Sequence, residues 1–412
     1  MTTLHEAQRV VLAACPRVPG RPVEIRDALG LVLATPIVAS HAVPPFATSS
    51  MDGYALIAED STPAPARLEV IGHLLAGVAP TMRVGRGQAV RIMTGAPLPP
   101  GADAVCMVER TTDEDDGKTV LIEGPVTAGT AVRRAGEDIA QGDLVFPVGE
   151  ALTPGHLGVL ASLGLYRVVV HPRSRVGVLS TGDELREGPE PLTPGKIRDS
   201  NRHALLARLS RDGYETQDLG IVGDDPEVIT AAILDGAARC DALVTSGGVS
   251  VGDVDYVKVV LDQLGGGTMR WMQVAIRPAR PLAFGTLAAD GTPVFGLPGN
   301  PVSALVSYEM FVRPALRQMG GHRQLERPRV PALVDEPISR SPDGKVHLVR
   351  VVARYGPDGL VHVRPSGLQE SHLLRAMANA NGLAIVPDGD GVGVGARVDV
   401  LLTDAAEMAP AG

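Results

Sequence analysis

Val244-Thr-Ser-Gly-Gly-Val-Ser-Val-Gly-Asp253 and Phe295-Gly-Leu-Pro-Gly-Asn-Pro-Val-Ser-Ala304 each run from an apolar segment into small, polar and glycine residues. In the first, Ala242 to Val244 reads as a buried strand. Thr245, Ser246, Gly247, Gly248, Ser250 and Gly252 then supply hydroxyls and side-chain-free backbone. Glycine permits φ > 0 and lets main-chain N–H groups approach an anion closely. In the second, Val294 to Leu297 is a strand, Pro298-Gly299 turns the chain, Asn300 is placed to cap, and Pro301 suits the first position of a helix Val302 to Met319. The N–H groups and positive dipole end of that helix face whatever sits above the sheet. Either segment alone is equally a tight strand-to-helix turn. Two of them at the ends of two strands in one domain predict a binding crevice.

Around these cradles the pattern alternates. Strands Val176 to Leu179, Glu215 to Leu219, Ala242 to Val244 and Val294 to Leu297 are interleaved with helices His203 to Arg211, Pro226 to Ala237, Asp255 to Leu264 and Val302 to Met319. Such alternation predicts a three-layer α/β domain, residues 173–322, with a mostly parallel sheet. After Gly320-Gly321 the runs Val346 to Val352, Val361 to Val363, Leu383 to Val386 and Val398 to Leu402 predict a C-terminal β domain, residues 323–412, barrel or sheet. Toward the N-terminus, Leu4, Ala7, Val10, Val11 and Ala14 predict an amphipathic helix over 3–15, and a second helical stretch is expected from Ile25 to Val38. Short alternating runs such as Arg67 to Ile71 and Val105 to Val108 predict an inserted β domain, residues 41–132. Helical character returns at Pro154 to Leu163, so residues 1–40 and 133–172 are expected to form one discontinuous helical linker and dimerisation domain. The acidic run Asp113-Glu-Asp-Asp-Gly117 lacks the ligand spacing of a calcium loop and reads as a solvated hairpin tip.

The chain has 412 residues, 44% of them hydrophobic, enough for several cores. Aromatics are only 3% and the net charge is −9, which argues against nucleic-acid binding. Lysine occurs only at Lys118, Lys196, Lys258 and Lys345, so arginine carries nearly all the positive charge. Cys15, Cys106 and Cys240 show no paired spacing and suit a reducing compartment. With no leader-like segment and no apolar stretch of about 20 residues, a cytoplasmic protein is expected.

Anion cradles in an acidic chain require local positive charge. Ser180-Thr-Gly-Asp-Glu184, Gly223-Asp-Asp225 and Asp253 with Asp255 fall near the same predicted sheet edge, and Glu184, Asp224 and Asp255 are candidate Mg²⁺ ligands, because that cation takes oxygen donors and substrate phosphates together. Asp183 and Asp225 read equally as helix N-caps and Asp253 as a turn residue. Arg277 and Arg280, with prolines between them, suit a tetrahedral oxyanion or form a solvated basic loop. No zinc, Walker or nucleophile-elbow pattern occurs.

Six segments, in order, then carry a resemblance. They are Ser50-Met-Asp-Gly-Tyr-Ala55, Arg91-Ile-Met-Thr-Gly-Ala-Pro97, Arg134-Ala-Gly-Glu-Asp-Ile139, Ser180-Thr-Gly-Asp-Glu-Leu185, Thr245 to Asp253 and Gly296 to Ala304. Together they resemble the molybdopterin molybdenumtransferase family, MoeA and the gephyrin E domain. The resemblance implies an elongated homodimer that takes adenylylated molybdopterin and molybdate, inserts the metal and releases AMP in a divalent-cation-dependent step. It further implies catalytic roles for Asp52, Thr94, Asp138, Glu184 and Asp255, and pterin and phosphate contacts from Thr245 to Gly252 and from Arg277. Molybdate contacts are implied near Pro298 and Pro301 and at Ser303, Arg350 and Ser371. Partners would be a molybdopterin adenylyltransferase upstream and recipient molybdoenzymes downstream. The chain departs from the family at Arg277-Pro-Ala-Arg-Pro281, where Lys-Pro-Gly-Lys-Pro is usual, with Gln273 at an upstream position that can be lysine, and at Gly344-Lys345, where Gly-Arg is usual. An adenylyltransferase of the same α/β fold and a gephyrin-like dimeric scaffold are the alternative functions.

Overall fold

The computed structural model of the chain describes residues 1–249, 256–404 and Met408. It divides into two compact units, one of residues 1–21 and 170–412, the other of residues 22–169.

In the first unit, helix α1 (Leu4–Ala13) starts at a Thr3 capping box with Glu6 and buries Ala7 and Val11. The α/β layer follows as β1 (Arg175–Thr181), α2 (Asn201–Arg211), β2 (Glu215–Val222), α3 (Pro226–Ala237), β3 (Ala242–Ser246) and α4 (Tyr256–Gly265). It continues with β4 (Arg270–Gln273), β5 (Pro281–Thr286), β6 (Pro293–Leu297) and a long helix α5 built from Pro301–Ser307, a π turn Tyr308–Val312 and Arg313–Met319. The sheet order is β2-β1-β3-β6-β5-β4. Strands β2, β1, β3 and β6 are parallel, whereas β5 and β4 run antiparallel at one edge. The sheet is therefore mixed. Apolar residues on both faces, such as Val176, Val178, Leu243, Val244, Val294 and Phe295, explain why the central strands read as uninterrupted hydrophobic runs.

Strands β7 (Arg329–Val334), β8 (Val346–Tyr355), β9 (Val361–Pro365), β10 (Gly382–Val386) and β11 (Arg397–Leu402) close into a barrel, because β8 pairs with both β9 and β10. Ile276 and Arg277 pair in parallel with Val346 and His347 of β8, so the arginine loop is stitched to the barrel.

The expected helix from Ile25 to Val38 is absent. A 3-10 turn Ile25–Asp27 and short strands Val32–Leu33 and Ile37–Val38 stand there instead. Leu31, Val32 and Leu33 are buried consecutively, which no single helical stripe allows. Gly30 takes φ +76° and Pro36 interrupts any helix. Within residues 133–172 only Pro154–Ser162 is helical. The second unit is otherwise β, with a six-stranded sheet of 104–107, 53–56, 88–92, 66–74, 119–122 and 111–114 in that spatial order. The acidic tip joins the last two of these as a hairpin, as expected.

A buried ionic network fastens the first unit behind its sheet. Arg327 Nη2 donates to Asp212 Oδ2 at 2.6 Å and its Nε to Glu309 Oε2 at 2.9 Å, while Arg208 Nε reaches Glu309 Oε1 at 2.8 Å. It ties the end of α2 and the π turn of α5 to the segment entering the barrel. Burial alone would raise the Asp212 carboxyl, but Arg327 and the Tyr308 hydroxyl outweigh it and hold it below the ordinary value. A depressed folded-state pKa means stabilisation present above about pH 4 and lost as pH falls further. Removing one partner of a buried pair strands the others, so Glu309→Gln is expected to cost about 3–5 kcal/mol in denaturant unfolding. Breaking the exposed Arg26–Asp27 pair should cost less than about 1 kcal/mol.

Candidate functional site

Register sets the floor of the site. Ser180 pairs with Ser246 and Ser246 with Leu297, so β1, β3 and β6 end level, and the chain leaves each strand into a polar turn. Gly247 takes φ +101° and Gly248 φ +67°. A Cβ at Gly247 would stand 2.7 Å from the Thr181 carbonyl oxygen, and one at Gly248 would stand 2.3 Å from Val257. Both glycines are therefore required by strained backbone and by close approach.

A cavity of about 410 Å³ opens above these turns, lined among others by Glu184, Asp224, Gly247, Gly248, Pro298 and Asn300. It brings together the first cradle, the second turn and two of the three predicted cation ligands. Thr245 and Ser246 lie beneath it, buried at the strand end, and the Thr245 hydroxyl has no partner among the described residues. Ser250, Gly252, Asp253 and Asp255 lie outside the described residues. Asp183 caps no helix; its backbone N–H and carboxylate exchange hydrogen bonds with those of Asp224 at 3.3 and 3.2 Å. Asp225 does cap α3, accepting from the Glu227 and Val228 amides.

A second cavity, about 470 Å³, adjoins the first and shares Pro281 and Asn300 with it. Arg277, Ala279, Arg280, Ser303, Lys345 and Ser371 are among its walls, so the arginine loop, the start of α5 and a barrel loop converge here. Pro301 begins α5 as expected. Asn300 occupies the N-cap position but does not cap; its side-chain amide donates to Ser371 Oγ at 3.1 Å, and the Val302 amide donates to the Ser371 carbonyl at 3.2 Å. The barrel loop thus takes the place of a cap. Arg277 and Arg280 are exposed and pair with no carboxylate among the described residues. Ala279 sits at φ +71°, the left-handed backbone that a glycine adopts freely, so the loop keeps the glycine-type turn despite the departure in sequence.

Arg350 is fully buried rather than lining this cavity. Its Nη2 holds the Leu368 carbonyl at 2.8 Å and the Glu370 carbonyl at 3.3 Å, shaping the loop that presents Ser371, while Nε and Nη1 have no partner among the described residues. Burial pushes this guanidinium down to about 10, still protonated at neutral pH.

One residue that sequence reading passed over joins the two cradles. Asn201 Nδ2, on the first turn of α2, donates to Ser246 Oγ and to the Gly299 carbonyl, both at 2.8 Å. In the sequence it is indistinguishable from an ordinary helix-start asparagine.

Asp52, Thr94 and Asp138 belong to the second unit. Gly53 pairs with Ile92, which places Asp52 beside the end of the neighbouring strand. There the carboxylate accepts from both the amide and the hydroxyl of Thr94 at 2.7 Å. Asp138 is exposed on a loop whose amide donates to the Val43 carbonyl.

A mixed α/β domain with two adjoining polar cavities at its strand ends, one of them walled by arginines, has the form of a binding crevice at the carboxyl ends of parallel strands. Residues 2–164 match the MoeA N-terminal region (domains I and II), residues 177–318 a probable molybdopterin binding domain and residues 338–403 the MoeA C-terminal region (domain IV). The molybdopterin molybdenumtransferase 2 of Mycobacterium tuberculosis is 39% identical, over 94% of this chain and 96% of its own. The molybdopterin molybdenumtransferase of Haemophilus influenzae is 36% identical, over 92% and 93%. The crystal structure of a molybdopterin biosynthesis MoeA protein from Pyrococcus horikoshii OT3 superposes with a TM-score of 0.81 at 28% identity, covering 98% of this chain and all of that one. The chain belongs to the MoeA family of molybdopterin molybdenumtransferases.

The Thr94 amide, then its hydroxyl, holds the Asp52 carboxyl below its ordinary value, so Asp52 is ionised at neutral pH. Thr94→Ala keeps the amide and loses the hydroxyl. Carboxyl NMR titration is expected to show an Asp52 midpoint below about 3.9 that rises in Thr94→Ala; an unchanged midpoint would contradict the assignment.

Proposed function

We propose that this chain is the molybdenum insertase of molybdenum cofactor biosynthesis, taking molybdate and adenylylated molybdopterin and releasing AMP. The observation that carries the reading is the pair of adjoining cavities divided by Pro298 to Asn300, one built on glycine turns and carboxylates, the other on arginines that pair with no carboxylate among the described residues. The first suits a phosphoanhydride, with Gly247 and Gly248 admitting it to the backbone. The second suits tetrahedral MoO₄²⁻, with Arg277, Arg280 and Lys345 supplying charge and Ser303 and Ser371 supplying hydroxyls.

Glu184 and Asp224 share the first cavity and have no cationic partner among the described residues, a donor set of hard oxygens that fits Mg²⁺. With Asp255 they would hold the ion. Bound there, Mg²⁺ would offset the charge of the pyrophosphate and of the departing AMP. Glu184 folds back over Gly182, where a Cβ would stand 2.4 Å from Oε2, so any side chain at 182 would displace this carboxylate. Arg350 lends fixed positive charge behind the Ser371 loop. We assign Asp52, with Thr94 keeping it ionised, and Asp138 to the same reaction.

We further assign a homodimer, supported by the second unit's exposed apolar surface: Val38 and Leu144 are cross-strand partners that are 52% and 62% exposed. The four-domain division stands as the proposed organisation. Cytoplasmic placement is supported by three buried, unpaired cysteines, Cys15 being pushed by burial up to about 12. No helix among the described residues is long and apolar enough to cross a membrane. Adenylylated substrate would come from a molybdopterin adenylyltransferase and product would pass to molybdoenzymes. The scaffold and adenylyltransferase readings explain less, since relatives named as molybdenumtransferases match along nearly the whole chain.

Purified protein given adenylylated molybdopterin, molybdate and Mg²⁺ is expected to release AMP only when molybdate is present. Molybdate-independent release, or none, would overturn the reading. Arg277→Ala should raise the KM for molybdate about tenfold or more, because a hydrogen bond to a charged group contributes about 1.5–3 kcal/mol.

A further inference from the structure

The partition between the two cavities is three residues long and has few supports of its own. Pro298, Gly299 and Asn300 line the first cavity, and Asn300 also lines the second. Pro298 has no N–H to donate. Gly299 has no side chain, and both Gly299 and Asn300 are exposed. What fixes this wall must therefore come from outside it.

Among the described residues, two side-chain contacts do so. Ser371 holds the Asn300 end, as described above. At Gly299 the carbonyl accepts from Asn201 Nδ2, and the same nitrogen donates to Ser246 Oγ at the end of β3. The donor assignment is forced by chemistry: a backbone carbonyl only accepts, so the amide must turn its NH₂ toward Gly299, and its second hydrogen then meets Ser246. Asn201 is 9% exposed and faces away from solvent. One amide group thus spans the floor of the first cradle and the wall shared by both cavities.

Resting on the insertase reading, we infer that Asn201 is a positioning residue that sets the partition between the phosphoanhydride cavity and the oxyanion cavity, and so governs affinity for both substrates at once. Aspartate at this position has the same shape but two acceptor oxygens. It would face the Gly299 carbonyl with repulsion instead of a hydrogen bond, and the partition would swing from its support. Alanine would release the wall without repelling it. A residue that touches only one substrate, such as Arg277, would alter one affinity and leave the other.

The test measures binding of adenylylated molybdopterin without molybdate by calorimetry, then the KM for molybdate and kcat by AMP release, in the full-length wild type, Asn201→Ala, Asn201→Asp and Arg277→Ala. Circular dichroism and thermal melting establish that each is folded. Asn201→Ala is expected to weaken both affinities by roughly five- to tenfold, Asn201→Asp by more than tenfold, with kcat changing less than either. Arg277→Ala should weaken molybdate far more than the pterin. Folded Asn201 variants with wild-type affinities, or with only one affinity changed, would overturn the inference. If an Asn201 variant does not fold, Asn201→Ser, shorter but still able to donate, replaces it under the same criteria. Wild type that binds the pterin but releases no AMP would overturn the insertase reading; molybdate binding by calorimetry then replaces its KM, and the same requirement that both affinities weaken decides the role of Asn201. Wild type that binds nothing would overturn both.

Discussion

Everything at the site depends on the register of three parallel strands. Because Ser180, Ser246 and Leu297 stand side by side, the chain leaves β1, β3 and β6 at one level. Three turns then compete for the same small volume. Two glycines with positive φ, a Pro-Gly turn and a buried asparagine are the ways in which the sequence meets that constraint. A strand slipped by one residue would exchange the side chains packed on the sheet's two buried faces and separate the cradles.

Charge is arranged on that frame in opposite senses. Glu184 and Asp224 stand at one cavity, and Arg277, Arg280 and Lys345 at the other, with Pro298 to Asn300 between. The barrel contributes by carrying Ser371, Lys345 and the strand that grips Arg277, and the buried Asp212, Glu309 and Arg327 network holds its connecting segment to the α/β layer. An acidic chain can in this way present a local oxyanion site without being attractive to anions over its whole surface.

Much of this was legible in the sequence, because the central strands are continuous apolar runs and α3 begins at Pro226 after a capping Asp225. The cradles were legible for the same reason: glycine and proline report backbone directly. Legibility failed where tertiary context decides. Ile25 to Val38 carries the helix breakers Gly30 and Pro36, but its burial at three consecutive positions, Leu31 to Leu33, is set by tertiary packing. The antiparallel strand β4 has only four residues, and β5 opens on a proline. Asn300 reads as a cap, yet Ser371, 71 residues away, claims its side chain. Asn201 reads as a helix start, and its partners lie 45 and 98 residues along the chain. Asp52 and Thr94 were nominated by resemblance, and strand pairing explains why they meet.

The proposed function places the oxyanion in the arginine-walled cavity and the pterin phosphate in the glycine-floored one. Crystals soaked in molybdate and measured at the molybdenum absorption edge locate the metal without reference to activity. An anomalous peak is expected within hydrogen-bonding reach of Ser303 or Ser371 and beside Arg277. A peak seated on Gly247 and Gly248, or an empty arginine-walled cavity with the metal bound elsewhere on the chain, would contradict that assignment.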